Sequence, residues 1–164
     1  MNQLLAGALG VMLFAAAPIH AQTPSSASAP SRDTSVITRA SGTFEVKLNP
    51  LTTDAPGVAR YALDKVFSGD LQATSKGEML ANGTAEGFGV YVAVEVVTGT
   101  LNGRSGSFAL HHNGVMDGGA PTLNVRVVPG SGTGDLAGIT GTFNIILDGG
   151  KHAYEFDYSL PAAR

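Results

Sequence analysis

The sequence predicts an all-β fold, an eight-stranded antiparallel β-barrel, and three observations predict it. Twenty-two glycines are spread over 164 residues, and no stretch beyond the N-terminus carries apolar residues at helical three-four spacing. Short runs rich in β-branched and aromatic residues recur instead, parted by Gly, Asn, Asp and Pro. Two dipeptides, Asn102-Gly103 and Gly149-Gly150, signal two-residue hairpins, whose central positions need positive φ. Eight antiparallel strands can close around an interior just wide enough for one small ligand. Closure also removes the edges that invite aggregation.

The N-terminus reads as an export signal. Leu4 to Ala17 is an apolar run of about 14 residues, short of the roughly 20 that span a bilayer. It breaks at Pro18, and Ala21 suits the last position before cleavage. Residues 1–21 are therefore assigned to a signal peptide rather than to an uncleaved anchor, which places the mature chain in the periplasm or outside the cell. No integral membrane span is expected once the signal is removed. Residues 22–39 open with "QTPSSASAPSRDTS", which has too little apolar surface to offset its ordering entropy and reads as a flexible leader. Residues 40–161 then form one domain, long enough to enclose a core.

Within that domain the strand candidates are roughly 41–48, 58–67, 70–80, 87–99, 104–113, 121–128, 141–148 and 151–160. The Asn102-Gly103 turn pairs Leu101 with Arg104, and counting outward pairs Val97 with Phe108, Glu95 with Leu110 and Ala93 with His112. The Gly149-Gly150 turn pairs Leu147 with His152, Ile145 with Tyr154 and Phe143 with Phe156. One face of this second hairpin is apolar (Phe143, Ile145, Leu147, Tyr154, Phe156, Tyr158), and the other carries Asn144, Glu155 and Asp157. That alternation assigns the apolar face to a core. The first hairpin is mostly apolar on both faces, with Val90, Val92, Val94 and Val96 on one and Tyr91, Ala93, Glu95 and Val97 on the other. Its outer side is therefore suited to a partner subunit or a neighbouring segment.

Composition excludes several functions. There is no cysteine, hence no disulfide, thiol chemistry or cysteine-containing zinc site. Four histidines, one of them His20 in the signal, leave little for a metal site, and no metal or cofactor is expected. A net charge of −3 with scattered charges gives no footprint for nucleic acid. Gly132, Gly134 and Ala137 in "PGSGTGDLAG" nearly trace a dinucleotide fingerprint, but the phosphate site needs a helix after the glycines. A strand pattern, "GTFNIIL", follows instead. The glycines read as corners, bulges and close strand crossings.

Five segments, "SGTFEV" at 41–46, "FSGDL" at 67–71, "VTGTLNGRSGSFALHHNG" at 97–114, "VVPGSGTGDLAGITG" at 127–141 and "YEFDYSL" at 154–160, resemble in order a bacterial family known as domain of unknown function 3224. The resemblance implies an eight-stranded barrel similar to that of allene oxide cyclases and plant dirigent proteins. Those proteins bind small, largely apolar molecules and steer cyclisation or coupling without a metal or organic cofactor. The family brings no established activity of its own.

Glu95 is the most informative polar residue, because "YVAVEVV" would bury a carboxylate that needs a partner. The register puts His112 on its face, at the diagonal of a direct pair and within reach of long side chains. Carboxylate and imidazole together make a proton-transfer pair, and the resemblance favours His112 over His111. Mutual structural satisfaction of the two is the bland alternative. Arg104 suits a carboxylate-bearing ligand at the barrel mouth, an ion pair with Glu86 or Asp135, or plain exposure to solvent. Tyr91, Tyr154 and Tyr158 offer hydroxyls, and Phe108 and Leu110 offer apolar walls. "GRSGS" has the wrong spacing and setting for a nucleophile elbow. Three readings stay open: a cofactor-free isomerase or cyclase acting on a small apolar or amphipathic molecule through Glu95 and His112, a carrier without turnover, and a structural barrel that self-associates.

Overall fold

In a computed structural model, which describes residues 36–161, the chain forms eight strands that close into one barrel. The expected signal and most of the expected leader lie outside the described residues. The strands are β1 (Thr38–Leu51), β2 (Ala59–Gly69), β3 (Leu71–Ala85), β4 (Phe88–Leu101), β5 (Arg104–Asp117), β6 (Thr122–Val127), β7 (Thr140–Asp148) and β8 (Lys151–Ser159). Each pairs antiparallel with the next, and β8 returns to β1. β1 starts two residues inside the expected leader, and Arg39 there forks onto the Asp157 carboxylate at 2.6 and 2.7 Å.

Both hairpin registers hold. Asn102 and Gly103 take φ of 48° and 81°, as a tight turn between right-twisted strands requires. Glu95 faces Leu110 and Ala93 faces His112; Ile145 faces Tyr154 and Phe143 faces Phe156.

Inward side chains form the core, and aromatic rings fill half of it. Phe143 and Tyr154 stack with centroids 5.0 Å apart, Phe108 and Phe156 at 5.5 Å, and Phe67 meets Phe143 edge-on. This end is sealed by the segment between β6 and β7, whose Leu136 and Ile139 are fully buried. Thr133 N–H donates to Ser107 C=O there, and Ser107 N–H donates to the Thr133 hydroxyl. Gly106 is crowded by the backbone of Thr133, and Gly132 by that of Leu136. These glycines admit neighbouring backbone, and protein already occupies the space that a phosphate would need.

The opposite end is less covered. Inward positions lose cover along the strands toward it: from Phe143 (2%) to Leu147 (69%) on β7, and from Val125 (1%) to Leu123 (37%) on β6. Leu147 is thus a correction to the sequence reading: its register is right, but it stands at the rim instead of in the core. Among the described residues β6 and β7 share a single rung, Arg126 with Thr142. No described helix is long and apolar enough to cross a membrane.

Candidate functional site

Glu95 sits on the inward phase of β4, and its direct neighbours across the strands, Gly77 of β3 and Leu110 of β5, offer its carboxylate no side-chain hydrogen bond. The carboxylate therefore reaches along diagonals. Lys65 Nζ on β2 donates to Oε1 at 2.7 Å, Ser75 Oγ on β3 donates to Oε2, and His112 Nε2 on β5 meets Oε1 at 2.8 Å. All four side chains are buried, Glu95 being 1% exposed. Gly77 makes the arrangement fit. A Cβ at that position would lie 2.6 Å from Glu95 Cα and 2.7 Å from its Cβ, so any larger residue would push β4 or the carboxylate aside.

The protonation pattern follows from the partners. An ionised carboxylate only accepts hydrogen bonds, and the lysine ammonium only donates, so the hydrogen on the shared contact with the ring belongs to His112 Nε2. In the neutral ring Nδ1 then holds the lone pair, and it has no hydrogen-bond partner among the described residues. Burial pushes the Glu95 carboxyl up. The hydrogen bond from His112, the charge and hydrogen bond of Lys65 and the Ser75 hydroxyl outweigh burial and hold it at about 2. Lys65 Nζ also lies 4.9 Å from the centroid of the Phe44 ring, where the ring quadrupole favours a cation. No buried side-chain nitrogen or oxygen among the described residues lacks a partner. No three described His, Asp or Glu side chains are grouped to hold a metal ion.

His112 stands one rung nearer the mouth than Glu95, level with Ala93 and Met79. Tyr61 completes that row, Tyr91 stands one step further along β4, and Tyr61, Met79 and Tyr91 are all half-buried. Tyr91 lays its ring over Gly114, where a Cβ would meet the ring within 2.8 Å. Burial first, and the Glu95 charge second, push the Tyr91 hydroxyl up.

The other sequence-selected residues are placed differently. Phe108 and Leu110 are fully enclosed in the core. At the sealed end the Tyr154 hydroxyl accepts the Leu71 N–H at 2.9 Å, and the Tyr158 hydroxyl accepts from Asn102 Nδ2 at 3.1 Å. Both phenols are thus committed to the frame. Arg104 is exposed beside the Asn102-Gly103 turn. It forms no ion pair with Glu86 or Asp135; Asp135 instead accepts the Ser105 N–H at 3.3 Å. Lys65 and Ser75 were not anticipated. The signal for Lys65 was its phase, since Tyr61, Leu63, Lys65 and Phe67 alternate on one face and make it the single cation in an apolar row.

The fold and this cluster define a class: a closed eight-stranded antiparallel barrel, filled by aromatic rings toward one end, with a buried carboxylate–lysine–histidine cluster toward the other. Residues 40–158 match a family model described as "Protein of unknown function (DUF3224)", and the chain belongs to that family. It is also similar to a crystal structure of a protein with unknown function from the DUF3224 family of Shewanella oneidensis MR-1, at 46% identity and a TM-score of 0.74. That match covers 78% of this chain and 100% of the other. Comparison with curated proteins gave no match.

Proposed function

We propose that the open end of the barrel binds a small, mostly apolar molecule carrying one carbonyl or hydroxyl, and that His112 and Glu95 move a proton on it. The observation that carries this reading is the buried cluster itself. Burying an ion pair is expensive, and apolar residues of similar volume often serve stability as well or better. A cation, a carboxylate and an imidazole kept together toward the less covered end of the barrel thus suit work on a guest. The similarity to allene oxide cyclase and dirigent barrels, inferred from sequence motifs, points the same way.

In this mechanism the neutral His112 Nδ1 takes a proton from a carbon next to the guest's carbonyl. The Glu95 carboxylate, accepting the Nε2–H, steadies the imidazolium that forms. Tyr91 donates its hydroxyl to the developing enolate oxygen, and the proton returns to another carbon of the same molecule. The net change is an isomerisation or ring closure that consumes no co-reactant. Lys65 keeps Glu95 ionised throughout.

A carrier without turnover is the second reading, favoured by the three side-chain hydrogen bonds that already hold the Glu95 carboxylate. Thermal-shift screening against apolar ketones, enones and alcohols tests both. Stabilisation of the wild type that is lost when Ala93→Trp fills the mouth supports a binding site, and no stabiliser across the panel overturns both readings. Product analysis with a stabilising compound then separates them: conversion that disappears in Glu95→Gln supports the enzyme, and unchanged conversion removes Glu95 from the chemistry. We also propose export to the periplasm or beyond. N-terminal sequencing of the protein from a fractionated cell tests it, with a mature chain starting at Gln22 expected and an intact Met1 in the cytoplasm refuting it.

A further inference from the structure

We propose that the barrel opens sideways between β6 and β7, and that this seam is the entrance to His112. The opening stands on strand pairing alone; its use by a guest rests on the binding reading above. β6 is laddered to β5 without a break from Leu110–Val127 to Val115–Thr122, and β7 to β8 from Thr140–Ser159 to Asp148–Lys151. Between β6 and β7 the described residues share only the Arg126–Thr142 rung. Counting outward from that rung sets Asn124 against Asn144 and Leu123 against Ile145, and no ladder joins them. Backbone groups along this stretch have no mutual pairing to lose when the strands part. Val125, which β6 places directly beside His112, is 1% exposed. His112 and Glu95 are themselves 4% and 1% exposed, so a small molecule reaches the Nδ1 lone pair only if part of the wall moves. The strand that borders His112 is also the one with the weakest attachment on its far side.

The surrounding contacts confine the motion to one end. The segment after β6 is pinned to β5: Val128 N–H donates to Ala109 C=O at 2.9 Å, Ala109 N–H to the Ser131 hydroxyl at 3.0 Å, and Thr133 N–H to Ser107 C=O at 2.9 Å. With Leu136 and Ile139 of this segment buried, the sealed end stays shut and the Arg126–Thr142 rung beside it acts as the pivot. Cover falls away from the pivot along both strands, to the exposed Leu123 and Leu147. The tip of the β7–β8 hairpin is also lightly held on its other side. The β1–β8 ladder ends at Phe44–His152, where the two rings lie 4.9 Å apart. Beyond it the chain turns through Gly149 and Gly150, where an added Cβ would meet nothing within 4 Å. Swinging this tip outward breaks no ladder to β6 and leaves β7 paired with β8. What parts is apolar packing, Val125 from the part of the core that holds Phe143 and Ile145. Elements held by so few hydrogen bonds open at the low end of local stability, and lids of this size move in microseconds to milliseconds.

The chain has no cysteine, so single introduced thiols report the opening without interference. Val125→Cys, at the seam, is expected to react with iodoacetamide under native conditions roughly tenfold or more faster than Val97→Cys, a position of similar burial on β4. Equal rates overturn the proposal. A clamp tests it without touching the core. Asn124 and Asn144 are exposed and lie opposite each other across the seam, and Asn124→Cys/Asn144→Cys is expected to form a disulfide on mild oxidation. A pair that stays reduced overturns the register on which the seam is drawn. Closing the disulfide is expected to slow amide hydrogen exchange over residues 143–147 roughly tenfold or more relative to β4 amides, and exchange indifferent to the clamp refutes the gate. The binding reading fails separately. A seam that opens in these tests, while the panel of ketones, enones and alcohols yields no stabiliser, keeps the opening and removes its use as an entrance.

Discussion

Replacing Lys65 with Met removes the only full positive charge within hydrogen-bond reach of Glu95 among the described residues, apart from any charge on His112, while keeping an unbranched side chain in the same slot. The Lys65 Nζ–Glu95 Oε1 contact is 2.7 Å long, and the two side chains are 4% and 0% exposed, so water cannot take the ammonium's place without opening the barrel. Breaking a buried pair by removing one partner costs about 3–5 kcal/mol. His112 and Ser75 remain to hold the carboxylate, which puts the expected loss near the lower end, about 3 kcal/mol at pH 7. For a domain of this size that lowers Tm by roughly 10 °C. Urea unfolding at pH 7 measures the loss directly, with the midpoint moving and the slope unchanged. Lys65→Met/Glu95→Gln leaves no unpaired carboxylate and is expected to recover about 2 kcal/mol of the loss. A Lys65→Met loss under about 1 kcal/mol, or no recovery in the double variant, would refute the picture of a buried carboxylate that depends on its lysine.

Acid stability should carry the signature of Glu95. Its folded pKa, about 2 against an ordinary 4.5, lies below the unfolded value. The stabilisation is therefore fully present above about pH 4.5 and is lost as pH falls through about 2, amounting to about 3 kcal/mol. Unfolding curves across that window should lose this component in Glu95→Gln, and identical slopes in the two proteins would contradict the assignment. Gly77→Ala should cost about 1–3 kcal/mol, because the added methyl meets Glu95 Cα and Cβ at 2.6 and 2.7 Å; an unchanged denaturation midpoint would show that the rung has slack. Tyr154→Phe should cost about 1–3 kcal/mol by leaving the Leu71 N–H without its partner, seen as a lower Tm and faster exchange of that amide.

The fold was legible because turn chemistry and strand phase agree. Asn102-Gly103 fixes β4 against β5 without appeal to anything distant, and it placed Glu95 and His112 on one face. The rest of the cluster was harder to read for a physical reason. Lys65 meets Glu95 across β3, so its placement depends on two connections that carry no two-residue hairpin signal. The β2–β3 link passes through Gly69 at φ 109° with only Asp70 between the strands. Near the β3–β4 turn the register shifts between Gly83 and Ala85. Neither the break nor the shift is written in local composition. Leu147 shows a second limit: alternation gives the face of a residue but not its height in the barrel, and rim positions share the phase of the core. Arg104 takes the plainest of its three readings, since a cation beside a turn can stay in solvent at no cost.

Nitrogen NMR of the protein with ¹⁵N-labelled histidine tests the central claim most directly, because it reads both ring nitrogens of His112 with and without a guest. The expected free state has the proton on Nε2, held by Glu95, with an unprotonated Nδ1 whose shift moves when a stabilising ketone or alcohol is added. A proton resident on Nδ1, or an Nδ1 shift that no stabilising compound moves, would contradict a binding mouth served by this dyad.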